Sequence, residues 1–318
     1  MPIGDVCPAC GGPLTAWRSV PSAEPEIGPA RYELRRCRRC GTAVTVGAAP
    51  AELHESGAYS LGAPRLARAA APVLRAFDRQ RLSILGELAP PPARLLDAGA
   101  GRGRFVADSL AAGYLARGIE PSMRGVLAAE ALGAPVARAA IEDATLAPAS
   151  LDAVTLWHVL EHLDDPGAAL TRIGSWLRPG GALLVGVPNL GSAQARIGGE
   201  RWYHLDVPRH RVHYTQAGIE SLLGAHGFVP VRTHHVLAEH NPFGMWQSAV
   251  SRLTSRPSYL YNLLKRNAPA RSRDLLITAL ALPLAPVAAF AELVAGLARR
   301  GGTIAVLARR GAEDRDAP

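Results

Sequence analysis

The sequence predicts an α/β chain built on a seven-stranded, mostly parallel sheet, with a small four-cysteine module before it and a helical insertion between its last two strands. Three observations carry that expectation. Short apolar runs alternate with helical patterns from about residue 93 onward, and such alternation produces an open parallel sheet whose ligands lie beyond the carboxyl ends of its strands. The first run leads directly into a glycine loop, Asp97-Ala-Gly99-Ala-Gly101-Arg-Gly103. All four cysteines fall in two C-x-x-C pairs near the start of the chain.

The N-terminal pairs are Cys7-Pro-Ala-Cys10-Gly and Cys37-Arg-Arg-Cys40-Gly. Two such knuckles suit a tetrahedral Zn²⁺ held by four thiolates, and the following glycines let the backbone turn tightly behind the metal. Four protein ligands leave no open position, so the zinc would be structural, in a ribbon spanning residues 1–50. The opening MPIGDVCPACGG has no basic stretch followed by an apolar run, so no secretory leader is visible. A reducing, cytoplasmic setting is therefore expected, which disfavours disulfides. Arg31, Arg35, Arg36, Arg38 and Arg39 crowd the second knuckle. They read as a solvated basic face, with phosphate or RNA contact as the other reading.

Composition bounds the rest. Hydrophobic residues make up 48% of 318, enough to bury a sizeable core. The net charge of +8 is carried almost wholly by arginine, since Lys265 is the only lysine. With abundant Ala, Gly and Pro, that bias resembles GC-rich bacterial coding, although a basic balance is compatible with phosphates, RNA or anionic lipid.

The core elements follow in order over 60–238 and 301–310. Residues 64–88 have helical periodicity through Leu66, Val73, Leu74, Phe77, Leu82, Leu85 and Leu88, and Pro90 to Pro92 end it. Ala93 to Ala98 is the first core strand, and the glycine loop after it brings backbone N–H groups and a helix N-terminus close to a ligand. Tyr114 to Glu120 is the second strand, ending in a carboxylate placed to accept both hydroxyls of a ribose. Pro135 to Ala139 is the third, followed by Ile141-Glu142-Asp143 in a loop. Leu151 to Trp157 is a fourth, buried strand, and Gly180 to Asn189 contains the fifth. Thr215 to His226 reads as a helix closed by Gly227, Phe228 to Val236 as the sixth strand, and Gly302 to Arg309 as the last. Residues 311–318 read as a flexible tail.

After the fourth strand comes LWHVLEHLDDP, in which His158, Glu161 and His162 spell H-x-x-E-H. In inverted zinc proteases both histidines of that pattern sit on one running helix. Here His158 directly follows a buried strand, and the helix is better started at Asp164 or Asp165, with Pro166 in its first turn. The segment is thus a strand-to-helix crossover, and Glu161 and His162 are expected to bond locally and shape a pocket.

Taken together, LLDAGAGRGRF, GIEPS, IEDA, LDAVTLWHVLEHLDDP, LRPGGALLVGVPN and RWYHLDVPRHRVHYT resemble class I S-adenosylmethionine-dependent methyltransferases. More narrowly they resemble the bacterial subgroup acting on small molecules, saccharides, quinones or lipid-linked glycans. The resemblance covers roughly residues 60–310 and implies a Rossmann-like sheet with S-adenosyl-L-methionine as cofactor. It further implies that Asp97, Gly99, Gly101 and Gly103 hold the methionine part and that Glu120 takes the ribose. Glu142 or Asp143 would flank the adenine, while Trp157 and His158 would line the pocket near the sulfonium. In the quinone-type relatives a cluster at Glu161 and His162 can hold a divalent cation, but His158 stands where they have a glutamate.

Methyl transfer to a hydroxyl needs a positioned base. Histidine has the suitable ordinary pKa, and the segment after the fifth strand is rich in it. His210, in Pro-Arg-His, is the first candidate and His213 the second, with capping of the next helix as the alternative role. The expected acceptor is a saccharide, lipid-linked glycan or other small hydroxyl compound. An rRNA substrate contacted through the ribbon is the less favoured alternative, and sugar C-methylation is another.

The insertion, residues 239–300, begins with Arg252, Arg256, Lys265, Arg266, Arg271 and Arg273. Leu275 to Ala298 is then apolar apart from Glu292, with Arg299 and Arg300 after it. Pro283 and Pro286 divide this run into two pieces. A helical pair lying peripherally on the inner face of the cytoplasmic membrane fits better than a span, with a covering lid or subunit interface as the equal alternative.

Overall fold

The computed structural model describes residues 5–24, 30–47, 67–265 and 268–311; the expected tail, Arg266 and the start of the helix at 64–66 lie outside the described residues. The chain begins with β1 (Leu14–Pro21), β2 (Arg31–Cys37) and β3 (Ala43–Thr45). A long helix, α1 (Ala67–Gly86), leads to β4 (Arg94–Ala98), α2 (Arg104–Ala111), β5 (Leu115–Glu120), α3 (Met123–Glu130) and β6 (Val136–Arg138). Then come β7 (Leu151–Trp157), α4 (Pro166–Trp176), β8 (Leu177–Pro188), α5 (Ala193–Gly198) and β9 (Val212–His213). The C-terminal third holds α6 (Gln216–Ala225), β10 (Phe228–His234), α7 (Asn241–Val250), α8 (Tyr259–Leu264), α9 (Ser272–Ala281), α10 (Ala285–Leu297) and β11 (Thr303–Arg310).

Seven strands form one sheet in the order β10-β11-β8-β7-β4-β5-β6, with β11 antiparallel to both neighbours and the β6-to-β8 ladder parallel. The central strands are near-continuous apolar runs because helices cover both faces. In β7, Leu151, Ala153, Val154 and Leu156 are buried, and so is every residue of β8 from Gly181 on. Helix starts obey local chemistry. Asp165 caps α4 by accepting the Ala168 N–H at 2.9 Å, and Pro166 occupies the first turn, where its missing N–H costs nothing. Thr215 caps α6 by accepting the Gly218 N–H at 3.1 Å.

The four-cysteine module is not a separate body. Its sheet has the order β1-β2-β3-β9, so Val212 and His213 of the core supply its fourth strand, pairing with Val44 and Ala43. Side chains reinforce this joint. The Thr45 hydroxyl donates to the His210 carbonyl at 2.7 Å, and the Thr215 hydroxyl donates to the Cys40 carbonyl at 2.6 Å. The expected division at residue 50 therefore separates segments of sequence whose strands share a sheet.

The insertion also joins the core more closely than a loose lid would. Asn241, the first residue of α7, accepts the Thr303 N–H at 2.7 Å and donates to the Thr303 carbonyl at 3.2 Å. Most of α7 is buried, whereas α9 and α10 keep a row of apolar side chains exposed.

Gly103 shows how tightly the first βα turn is packed. Its φ is +74°, and an added Cβ would stand 2.6 Å from Ala129 Cβ. Left-handed strain plus overpacking predicts that Gly103→Ala lowers the unfolding free energy by about 2–4 kcal/mol in a urea titration. An unchanged midpoint would contradict the packing described.

Candidate active site at the carboxyl ends of the sheet

Asp97 is the penultimate residue of β4 and pairs with Thr155 of β7. The Thr155 hydroxyl donates to Asp97 Oδ1 at 2.5 Å, and Arg81 Nη2 from α1 lies 3.5 Å from the same oxygen. Burial raises the Asp97 carboxyl above its ordinary range, against the pull of Arg81 and Thr155. The Arg81 guanidinium is itself buried and stacks over the rings of Phe105 at 3.7 Å and Trp157 at 4.6 Å. Asp78, behind it, accepts from Arg104 at 2.5 Å. The sequence reading missed Arg81. Its only local signal was an arginine four residues before the core residue Leu85, on the apolar stripe of a helix.

Gly99 turns with φ +80°, and a Cβ there would meet Val159 Cγ2 at 2.4 Å, so no other residue lets the crossover after β7 lie this close. Glu120 ends the neighbouring β5, with one oxygen accepting the Gly101 N–H at 2.9 Å and the other the Ser122 N–H at 3.0 Å. Asp97, Gly99, Gly101, Gly103 and Glu120 thus meet at one end of adjacent strands. Glu142 and Asp143 lie exposed in the turn after β6.

At the end of β7 the chain changes direction through His158, which adopts φ +56°. A non-glycine residue in that region costs on the order of 1–3 kcal/mol and is held there by its surroundings. His158 Nδ1 donates to Glu161 Oε1 at 2.9 Å. Glu161 is 1% exposed. Burial would raise its carboxyl, but the His158 hydrogen bond and the His158, His162 and His210 imidazoles hold it down at about 2. The H-x-x-E-H pattern forms a short helical turn (Leu160–His162) in the crossover, not two ligands on a running helix.

A cavity of about 180 Å³ opens beside this turn, walled by five histidines, His158, His162, His204, His210 and His240. Tyr203, Asp206 and Arg209 come from the segment after α5, Tyr261, Asn262 and Lys265 from α8 and its end, and Ala23 from the cysteine module. Trp202, by contrast, is core. Arg209 bridges Glu24 at 2.8 Å and Asp206 at 2.7 Å, tying the module to the cavity wall. His158 Nε2 and His204 Nε2 are buried without a protein partner, as expected of groups that meet a polar ligand or water.

The two candidate bases are placed differently. His210 lines the cavity; its Nδ1 lies 2.9 Å from the His204 carbonyl and must carry the proton, which leaves the Nε2 lone pair, 3.7 Å from Asp206 Oδ2. Burial, with the neighbouring His162 imidazole, keeps it well below the ordinary histidine range and therefore neutral near pH 7. His213 is not among the cavity-lining residues: its Nε2 lies 3.0 Å from the Thr45 hydroxyl in the β3–β9 joint, and burial holds it at about 3.

Among the described residues, two groups could hold a cation. Cys7 and Cys40 sulfurs are 3.7 Å apart, Cys10 and Cys37 sulfurs 3.5 Å, and all four lie within 4.8 Å of one another. Four thiolates around a tetrahedral zinc at about 2.3 Å would stand about 3.8 Å apart, so the cluster fits that ion. Ligand atoms of Glu161, His162 and His210 also lie within 4.8 Å of one another.

The family model described as a methyltransferase domain matches residues 66–233. Ubiquinone biosynthesis O-methyltransferases from strains B100 and 8004 of Xanthomonas campestris pv. campestris are each 33% identical over 153 residues, 44% of this chain. The chain spans 63% of the length of these curated relatives. Among solved structures, a chain from a Haloferax volcanii complex containing the Trm112 methyltransferase activator superposes with TM-score 0.50 at 13% identity, covering 78% of this chain and 95% of that one. An S-adenosylmethionine-dependent methyltransferase from Mesorhizobium loti gives TM-score 0.46 at 19% identity, covering 76% and 98%. The first of these likenesses bears on fold alone.

The buried imidazoles predict a pH dependence. Besides His213, His240 is held at about 4 by burial, despite the opposing pull of Glu239. Unfolded histidines take up protons near pH 6.5, so below that pH the unfolded chain binds more protons than the folded one. Stability should be full above about pH 6.5 and fall progressively as the pH drops towards about 4. Calorimetric Tm values at pH 7.5 and 5 check this, and a Tm that does not fall would contradict it.

Proposed function

The chain belongs to the methyltransferase-domain family, and on that premise we propose that it transfers a methyl group from S-adenosylmethionine to a hydroxyl of a saccharide, lipid-linked glycan or other small acceptor. The observation that carries this reading is the juxtaposition of two half-sites. The Asp97–glycine loop–Glu120 constellation ends β4 and β5, and the histidine-walled cavity opens past the end of β7. O-methylation is favoured because the curated relatives are O-methyltransferases and because the cavity offers a neutral, buried imidazole with a free lone pair on the chain.

When bound, S-adenosylmethionine supplies an electrophilic methyl group. The amides of the glycine loop receive the methionine part without side chains in the way, and Arg81 provides the buried positive charge that a carboxylate needs. Glu120 accepts from the ribose hydroxyls, and the turn bearing Glu142 and Asp143 flanks the base. Trp157 and His158 close the pocket at the reacting end. His210 Nε2 is placed to take the proton of an acceptor hydroxyl, whose oxygen would receive the methyl group that the bound cofactor would supply. Asp206 and Glu161 then face the charged imidazole and offset the burial that otherwise keeps it a weak base. His158 Nε2 and His204 Nε2 are available to orient polar groups of the acceptor.

We further propose that the four thiolates hold a structural zinc. Through the β3–β9 joint and the Glu24–Arg209 bridge, that ion would support one wall of the acceptor cavity.

Isothermal calorimetry with S-adenosylhomocysteine should show binding, and Asp97→Ala should weaken it about 10- to 100-fold. Absence of binding would refute the reading. With an acceptor in hand, His210→Gln should lower the turnover rate about 100- to 10,000-fold while leaving S-adenosylhomocysteine affinity unchanged, whereas His213→Gln should act mainly on stability. Elemental analysis should find zinc in equimolar amount with the chain, and Cys7→Ser should abolish it and lower the Tm.

A further inference from the structure

Helices α9 and α10, joined by a short helical turn at Leu282–Leu284, run from Ser272 to Leu297 as one segment long and apolar enough to cross a membrane. Leu276, Leu280, Leu284, Val287, Phe290 and Leu297 are each 59–71% exposed. They recur at steps of three, four and seven, so they form one stripe on one side of the segment. An exposed apolar surface of this extent has an occupant.

The other side of the segment is fixed to the protein. Asp274 is buried and accepts the Ser255 N–H at 2.9 Å. The Trp246 indole donates to the Ala281 carbonyl at 2.8 Å, and the buried Glu292 carboxylate accepts the Gly302 N–H at 2.7 Å. A Cβ on Gly296 would stand 2.9 Å from the His235 carbonyl oxygen, so α10 lies directly on the β10 side of the domain. These ties hold both ends and the middle of the segment along the domain surface, a geometry for lying on a bilayer and not for crossing one.

Charge selects the occupant. Between residues 241 and 300 the sequence has only two acidic residues, Asp274 and Glu292, and both are buried. The same stretch has eight basic ones, of which Arg271 and Arg273 stand at one end of the stripe and Arg299 and Arg300 at the other. A second copy docked through the same face by two-fold symmetry would bring these basic rims together, which repels. An anionic lipid surface meets an apolar stripe with its acyl layer and basic ends with its headgroups.

We propose that α9 and α10 dock this protein peripherally on an anionic bilayer, with the Leu276–Leu297 stripe in the interface and the arginines at both ends on the headgroups. Docking is independent of the methyltransferase reading. A corollary rests on that reading: α8 and its end, in the same insertion, supply Tyr261, Asn262 and Lys265 to the cavity wall, which favours an amphiphilic acceptor presented at the lipid surface.

Co-sedimentation of the full-length protein with phosphatidylcholine vesicles, with and without phosphatidylglycerol, tests it. The wild type should pellet with the anionic vesicles, lose affinity as salt is raised, and be released by alkaline carbonate. The double variant Leu280→Glu/Phe290→Glu should lower vesicle affinity at least about tenfold, since it removes two of the most exposed apolar side chains from the stripe. S-adenosylhomocysteine calorimetry on the same variant checks that the domain remains folded, and it fails separately if the cofactor reading is wrong. No binding to anionic vesicles, equal binding by the folded variant, or resistance to carbonate would each overturn the proposal. A dimer in sedimentation equilibrium that the double variant dissociates, without vesicle binding by the wild type, would assign the face to a second copy instead.

Discussion

The buried carboxylate of Glu161 is the constraint around which the catalytic half of the molecule is arranged. A charge with 1% exposure is tolerated only with close partners, and here they come from three directions: His158 from the end of β7, His162 from its own turn, and His210 from the segment before β9. Bringing His158 within 2.9 Å requires its left-handed backbone, which in turn directs the chain out of the sheet. The Glu161 carbonyl accepts the Arg211 N–H at 2.7 Å, and the Arg211 carbonyl accepts the Thr45 N–H at 2.9 Å. One buried anion is thus linked by three imidazoles to the cavity and by two backbone hydrogen bonds to the cysteine module.

How much of this was legible in the sequence depends on the range of the interactions. The glycine loop, Glu120 and the Asp165–Pro166 start of α4 were readable because their chemistry is local: a turn needing positive φ, a strand ending in a carboxylate, a capped helix. The apolar run Leu275 to Ala298 was readable as a breakable helical pair from composition and two prolines. Strand β9 was not, since two residues carry no periodicity and its pairing partner lies far back in the chain. That omission is why His213 stood behind His210 as a second candidate base. They stand three residues apart, yet one faces the cavity while the other bonds to Thr45. Arg81 was hidden for a related reason, because only the tertiary neighbours Asp97, Phe105 and Trp157 distinguish it from an arginine on a solvated helix face.

The cysteine module takes on a different character once it is seen attached. Its basic second knuckle reads from sequence as a solvated face, but Arg36 Nε donates to the Gly41 carbonyl at 3.0 Å and Arg39 to the Cys10 carbonyl at 3.1 Å, so two of its arginines stabilise the knuckles themselves. Glu24, at the far end of the module, balances Arg209 together with Asp206. Removing Arg209 would leave the buried Glu24 carboxylate without its ion-pair partner, which costs more than the pair contributes when whole. The module and the cavity are coupled through that triad as well as through the apolar packing of Val20 and Leu34 on Trp202, Leu205 and Val207.

The link between Thr215 and Cys40 spans 175 residues of chain. At ribosomal rates of about 5–20 residues per second, the cysteine module waits on the order of 10–30 s after its own synthesis before its docking strand exists. During that interval the edge of β3 is unpaired, and long-range pairings of this kind form slowly even afterwards. Until then the module has only β1, β2 and its two knuckles to hold β3 in place. The two knuckles are the part of the module whose sulfur contacts are complete without that late strand.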